Sequence, residues 1–534
     1  MSITDLTAEQ GLAAEADVLI SGLMSEPWGQ VSSSVYETGR LVTLTPWLTG
    51  HAQRLGFLVE TQRPDGGWGA PDRGYALVPT LSATEALISA LRRGTSGNGE
   101  ETAADRGLRV LFRWLSDRDA LTGAALPDMP AIELIVPSLI HMINSHLDDP
   151  PPGLPVWRGR RLPLPAGLDG AKLTGIRALV ASGGEIPEKL LHALEVVGDV
   201  ARGLAVVKPA LTGTIGASPA ATAAWLGAEE PADPSSPARW HLETAVARRG
   251  GPVPCGLPIT VFERAWVLNW LVRAGVGVGV PAELVLSLTA PLGPLGTPAA
   301  AGLPADADTT AGALYALALV GAPHPPDILW PYETDTHFCT WQGEQGHSIT
   351  TNAHVLEAFG QYVRARPDTA ARYAPAIHKV SAWLRQQQQA DGSWLDRWHA
   401  SPYYATACAA VALDHFGGEG SVDAVRRARE WLLATQRPDG SWGVWRGTAE
   451  ETAYAVLTLL RPDARPDAWP DGWRRAACED AAARGCDRLR HSPPKPDDPP
   501  LWHDKDLYLP IAIVRAAVLS ALHLGERHRL VSGG

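Results

Sequence analysis

The sequence predicts an all-α protein, and three observations carry that expectation. Apolar residues recur at helical spacing along most of the 534 residues. Only a few short runs alternate with period two, the mark of a half-buried strand. A short phrase also returns, as QRPDGGWG at 62–69, QQADGSW at 388–394 and QRPDGSWG at 436–443. The last two begin 48 residues apart, room for two helices and their connections. Repeated helical pairs argue for a closed or curved stack of helices.

Residues 8–24 read as a first amphipathic helix, with Leu12, Ala16, Leu19, Ile20 and Leu23 close to helical spacing. EPWGQVSSSVYETGRLV, 26–42, reads as turn-like. In each copy of the repeated phrase Asp-Gly supplies positive φ at low steric cost, and Trp can pack over the preceding helix. The copies are therefore structural staples without a catalytic role. From Thr102 onward helical patterns alternate with Pro/Gly-rich breaks: LRVLFRWLSD, AIELIVPSLIHMI, LTGIRALVAS, KLLHALEVVGDV, SPAATAAWLG and TVFERAWVLNWLVRAG. The breaks at 148–167, 229–257 and 275–305 read as loops or linkers, and the last is the domain boundary, dividing 1–285 from 286–534. Helices resume at DTTAGALYALALVGA, TTNAHVLEAFGQYV, IHKVSAWLRQQQ, SPYYATACAAVALDHF, DAVRRAREWLLATQ, EETAYAVLTLL and VRAAVLSAL.

The balance is acidic, net −12, with Arg dispersed and no basic block, so nothing resembles a nucleic-acid footprint. The N-terminus lacks a basic segment followed by a long apolar one, and no run of about 18 apolar residues follows. A soluble, cytoplasmic protein is expected. Five cysteines without a CxxC pair suit a reducing compartment better than a disulfide framework. Against 6 Phe stand 20 Trp, which suits heavily stapled helices or a cavity for something positively charged.

The chain is organised around PADADTTAGALY, 304–315, where Asp306 and Asp308 precede a long apolar run. Such a stretch starts a helix, because Asp and Thr side chains satisfy amides that a first turn leaves unpaired. Two carboxylates one residue apart also suit acid chemistry. An isolated Asp, with a pKa near about 3.9, is ionised at neutral pH, whereas burial and a neighbouring carboxylate both raise it.

DADTTAG at 306–312, TTNAHVLEAF at 350–359, DRWHASPYYATA at 396–407, QRPDGSWGVWRGTAEETAYA at 436–455 and LWHDKDLYLP at 501–510 resemble class II terpenoid cyclases. The resemblance is closest to diterpene cyclases of the copalyl diphosphate synthase type. Fainter likenesses run through SSVYETGRLV, IELIVPSLI, LLHALE and VFERAW. The resemblance implies two α-helical barrel domains, γ mainly in 1–285, with the first helix free to pack on the other, and β in 286–534. The cavity would lie between them. It also implies the absence of a metal-ionising class I domain, and no DDxxD motif is found. The implied reaction is an isomerisation, protonation-initiated bicyclisation of geranylgeranyl diphosphate to a copalyl-type, expectedly ent-, diphosphate. The product would pass to a class I diterpene synthase.

By the same resemblance Asp308 is the general acid and Asp306 tunes it. Thr309 stands where the family motif DxDD has its last Asp, and its hydroxyl is suited to hold Asp308. Asn352 matches the family Asn that hydrogen-bonds the acid. His192 matches a His associated with the final deprotonation, while Cys255 occupies the accompanying Asn position, so the terminating base stays open. Trp341, Tyr403, Tyr404 and Tyr508 are candidates to face the cationic intermediate. Lys172, Lys505 and Mg²⁺ are candidates to hold the diphosphate, with the metal ligands unassigned, since Gly198 breaks the acidic pattern around Glu195 and Asp199. A farnesyl or triterpene substrate, or a non-enzymatic helical-barrel binding module, remain as alternatives.

Overall fold

The computed structural model describes residues 3–95, 99–117, 121–122, 126–229, 233–344, 346–460, 472–494 and 498–532. Helix α1 (Ile3–Ser25) leads into α2 (Val35–Leu44), α3 (His51–Glu60), α4 (Arg73–Arg93), α5 (Glu100–Ser116), α6 (Ile132–Asp148), α7 (Ala171–Ala181), α8 (Pro219–Leu226) and α9 (Pro237–Arg249). There follow α10 (Thr260–Ala274), α11 (Ala282–Thr289), α12 (Ala307–Leu319), α13 (Ile349–Ala365), α14 (Ala370–Gln386), α15 (Pro402–Phe416), α16 (Val422–Thr435), α17 (Ala449–Leu459), α18 (Gly472–His491) and α19 (Ile511–Ser532).

Packing between neighbours closes two rings. In the second half α10, α12, α13, α15, α17 and α19 touch in succession, and α19 returns to α10, while α1, α11, α14, α16 and α18 lie outside. In the first half α2, α4, α6, the 3₁₀ segment Glu188–Ala201 and α8 close a smaller ring, with α3, α5, α7 and α9 around it. Each ring encloses its own apolar core.

The repeated phrases pin outer to inner helices with one geometry. Trp68, Trp394 and Trp442 are fully buried, and their indole N–H groups donate to the carbonyls of Leu58, Leu384 and Leu432 at 2.6–2.8 Å. Gly66, Gly392 and Gly440 take φ of 97°, 101° and 83° and press against the backbone of Arg106, Arg427 and Arg484. A side chain at any of the three would meet both strain and a carbonyl.

Four expectations change. The turn-like stretch 26–42 holds α2: Ser34 caps it by accepting from the Glu37 amide at 3.0 Å. Its helical pattern is hidden because its buried face carries Glu37, Thr38 and Arg40, the last paired with Glu85 at 2.5 Å. KLLHALEVVGDV is a 3₁₀ segment broken at Ala193 and Gly198 rather than a regular helix. The breaks 229–257 and 275–305 contain α9 and α11. Finally, the second core begins at Ile259 and also takes in α1, so α10 belongs with the later helices although it precedes residue 286. The Pro/Gly-rich 275–305 stretch interrupts one barrel without separating two.

LWHDKDLYLP forms a two-stranded hairpin, β1 (Trp502–His503) and β2 (Leu507–Tyr508). It lies where the barrels meet, with Trp502 in the second core and Leu507 in the first.

Candidate active site

Asp306 caps α12, its Oδ1 accepting from the Thr309 amide at 2.6 Å. Burial, then the neighbouring Asp308 carboxylate, push its pKa up to about 7 against the hydrogen bonds from Thr309. Asp308, in the first turn of α12, accepts through Oδ1 from Nδ1 of His354 at 2.8 Å. Burial favours a neutral imidazole, but the Asp308 carboxylate outweighs it and holds His354 well above the ordinary histidine value. The His354 ring stands edge-on to Trp266 with centroids 4.8 Å apart.

Two expected partners of the acid are used elsewhere. Asn352 lies fully buried on α13; its Oδ1 accepts from the Phe338 amide, and its Nδ2 donates to the carbonyls of Phe338 and Ser348, all at 2.9 Å. It ties a loop to the start of α13, and His354, half a turn on, takes the place at Asp308. Thr309 directs its hydrogen bonds to Asp306.

Asp306, Asp308 and Thr309 line a cavity of about 950 Å³, counting its open mouth, between the two barrels. Trp341, Tyr404 and Tyr508 line it too, together with Phe262, Trp398 and Trp502. The Tyr404 hydroxyl accepts from Trp266 Nε1 at 2.7 Å. Each aromatic face contributes about 0.5–2 kcal/mol toward a desolvated cation. Tyr403 is excluded from this wall, being packed on Trp431 with ring centroids 4.7 Å apart.

The same cavity is lined by His192, Cys255 and Asp504. His192 Nδ1 lies 2.6 Å from the Gly216 carbonyl, and Nε2 lies 2.7 Å from Asp504 Oδ1. Burial opposes charge there, yet Asp504 raises the pKa of His192 and, against the same penalty, His192 lowers that of Asp504. Burial, followed by the Asp504 charge, keeps Cys255 a thiol, with its pKa well above the ordinary value.

Neither expected lysine reaches the cavity. Lys172 is exposed on α7. Lys505 is fully buried, its Nζ 2.7 Å from Glu37 and 2.8 Å from Glu195, and it donates also to Ser218 Oγ at 2.6 Å and to the His192 carbonyl at 2.9 Å. Two carboxylates already neutralise it, which leaves no charge for a phosphate. Two other cations lie beside the cavity aromatics, and one of them, Arg397, is also within 3.4 Å of Glu344. Lys189 Nζ sits 3.9 Å above the Trp341 ring, and Arg397 pairs with Asp128 at 2.9 Å beside Trp398. Among the described residues Trp341 Nε1, Trp398 Nε1 and Arg397 Nε are buried donors that find no acceptor. Among the described residues no group of three or more His, Cys, Asp or Glu is placed to hold a metal ion. No described helix is long and apolar enough to cross a membrane.

Sequence reasoning missed His354, Asp504, Trp502 and Lys189, although each lies inside or beside a motif it singled out: TTNAHVLEAF, LWHDKDLYLP and LLHALE.

Residues 346–469 match the family model of the squalene-hopene cyclase C-terminal domain. Over 530 residues the chain is 42% identical to an ent-copalyl diphosphate synthase of Streptomyces sp. (strain KO-3988), covering 99% of this chain and 98% of that one. It is 39% identical over 524 residues to a labda-7,13-dienyl diphosphate synthase of Streptomyces clavuligerus, covering 95% and 92%. Among solved structures, an ent-copalyl diphosphate synthase from Streptomyces platensis aligns with a TM-score of 0.90 and 47% identity, over 96% of this chain and 99% of that one.

Proposed function

The chain belongs to the bacterial class II diterpene cyclases, and from that premise we propose that it converts geranylgeranyl diphosphate into a bicyclic copalyl-type diphosphate of the ent series. The observation that carries this reading is the Asp308–His354 pair at the wall of an aromatic cavity, with Asp306 buried beside it. The ent configuration is supported by the names of two relatives at 42% and 47% identity.

The isoprenoid tail fills the cavity with its terminal alkene against Asp308. Asp306, pushed up to about 7 by burial and then by the Asp308 charge, still holds a proton near neutral pH and hands it to Asp308. Asp308 donates that proton to the alkene, and the charged imidazole of His354 stabilises the carboxylate left behind. The alkene π electrons then close two rings while Trp502, Phe262 and Tyr404 exclude water and face the migrating charge.

The diphosphate is assigned to the Trp341–Trp398 end, where Lys189, Arg397 and the unpartnered indole N–H groups are suited to phosphate oxygens. Mg²⁺ enters this reading only as a counter-ion carried by the substrate. The product keeps its diphosphate and is a substrate for a class I synthase that ionises it. A cytoplasmic setting is supported by five buried cysteines without a CxxC pair.

Incubating the protein with geranylgeranyl diphosphate and Mg²⁺, then dephosphorylating and identifying the products against chiral standards by gas chromatography–mass spectrometry, tests the reading. A bicyclic ent alcohol is expected, and Asp308→Ala lowers its formation by ~10²–10⁴-fold. Unchanged substrate with the wild type would sink the proposal.

A further inference from the structure

The cyclisation just proposed ends on a tertiary carbocation that must lose a proton, and most titratable groups facing the cavity are unable to accept it. His192 has both ring nitrogens opposite acceptors, a carbonyl and a carboxylate, so both carry hydrogens and no lone pair remains. His503 points Nδ1 at the Arg397 carbonyl at 2.6 Å, and its Nε2 is taken by the Tyr75 hydroxyl at 3.1 Å. Cys255, Tyr404 and Tyr508 are neutral, and Asp306 and Asp308 stand at the initiating wall.

Asp504 is different. Its Oδ1 accepts from His192 Nε2 at 2.7 Å and from the Lys505 amide at 2.6 Å. Its Oδ2 accepts from no donor among the described residues, and lies 3.3 Å from where a Cβ on Gly256 would stand, at the cavity wall. One oxygen is thus anchored and the other free. Ion pairing with His192 fixes the carboxylate's direction and spreads its charge, which favours taking a proton over forming an ester with the cation.

We propose that Asp504 is the base that ends the reaction, its Oδ2 taking a proton from a carbon next to the final cation. That C–H bond breaks, its electron pair becomes the new C=C, and the diphosphate is untouched. The proton gained equals the one Asp308 gave, so the reaction remains an isomerisation, and each carboxyl re-equilibrates with solvent after product leaves. Asp504, from the hairpin, and Asp308, from α12, are then a base and an acid lining one cavity, and His192 is the positioning residue for the base.

The proposal rests on the cyclase reading above. A wild type that leaves geranylgeranyl diphosphate unchanged would overturn both, whereas Asp504 is judged from the split of products in a protein that turns over. Asp504→Asn keeps an oxygen for His192 and removes the base. Because the base acts after protonation, the variant still consumes substrate. The share of the wild-type alkene falls at least ten-fold, in favour of hydroxylated bicyclic diphosphates or a bicyclic alkene with its double bond elsewhere. The wild-type alkene as dominant product, or a variant with unchanged melting that leaves substrate unconsumed, would overturn the assignment. Should the Asn variant fail to fold, Asp504→Ser carries the same readout.

Discussion

Asp306 and Asp308 stand two positions apart on the same first turn and do different work. Asp306 spends an oxygen on the α12 cap, and its pKa is pushed up to about 7 by burial and then by Asp308. Its folded-state value lies above the unfolded one of about 3.9, so the folded protein holds a proton there that the unfolded chain lacks in between. That contribution to stability is lost as pH rises through about 7. Asp306→Asn, which still caps, is therefore expected to lose less melting temperature between about pH 5 and about pH 8 than the wild type, measured by thermal unfolding. The same titration makes wild-type turnover fall as pH rises past about 7, because Asp306 loses its proton. His354 and Asn352 separate chemistry from support. His354→Ala lowers turnover on the order of 10²-fold, since it removes the acid's partner. Asn352→Ala instead costs about 1–3 kcal/mol of stability by stranding the buried Phe338 and Ser348 backbone groups. The paired Asp residues were readable from sequence because both the cap and the acid demand that spacing. His354 was not, since a lone His on a buried helix carries no sign of its partner across 46 residues.

Helices with an apolar stripe were readable one by one, and those with a polar buried face were not. Helix α2 buries Glu37 and Arg40 because Lys505 and Glu85 reach them from elsewhere in the chain, and no local pattern announces such pairs. The hairpin at 502–508 was hidden for a related reason: DKD looks like a solvated turn, yet Lys505 and Asp506 are buried. Asp506 accepts from Ser34 Oγ at 2.7 Å and from the Tyr36 amide at 2.9 Å, so the hairpin fastens the start of α2. Lys505→Met leaves the charges of Glu37 and Glu195 buried without their cation, and is expected to destabilise the fold by about 3–5 kcal/mol. Denaturant unfolding checks this. Unchanged stability with weakened substrate binding would return Lys505 to the diphosphate.

At the scale of the molecule, the site belongs to neither barrel alone. Asp308 and His354 come from the second ring, His192 from the first, and Asp504 from the hairpin that joins both cores. The repeats made the helical stacks readable, because Gln, Gly and Trp recur where α3, α14 and α16 are pinned. They say nothing of how two stacks face each other, so the cavity between them followed from resemblance alone. Its mouth was harder still, since Lys189 and Arg397 meet there from segments more than 200 residues apart. The central claim is that a proton from the enzyme starts the cyclisation and the diphosphate survives it. The most direct measurement is turnover of geranylgeranyl diphosphate in heavy water, with mass spectrometry of the intact product. One solvent deuterium in the first ring, on a bicyclic skeleton that still carries both phosphates, is the result predicted. A product without deuterium, or one that has lost its diphosphate, would contradict it.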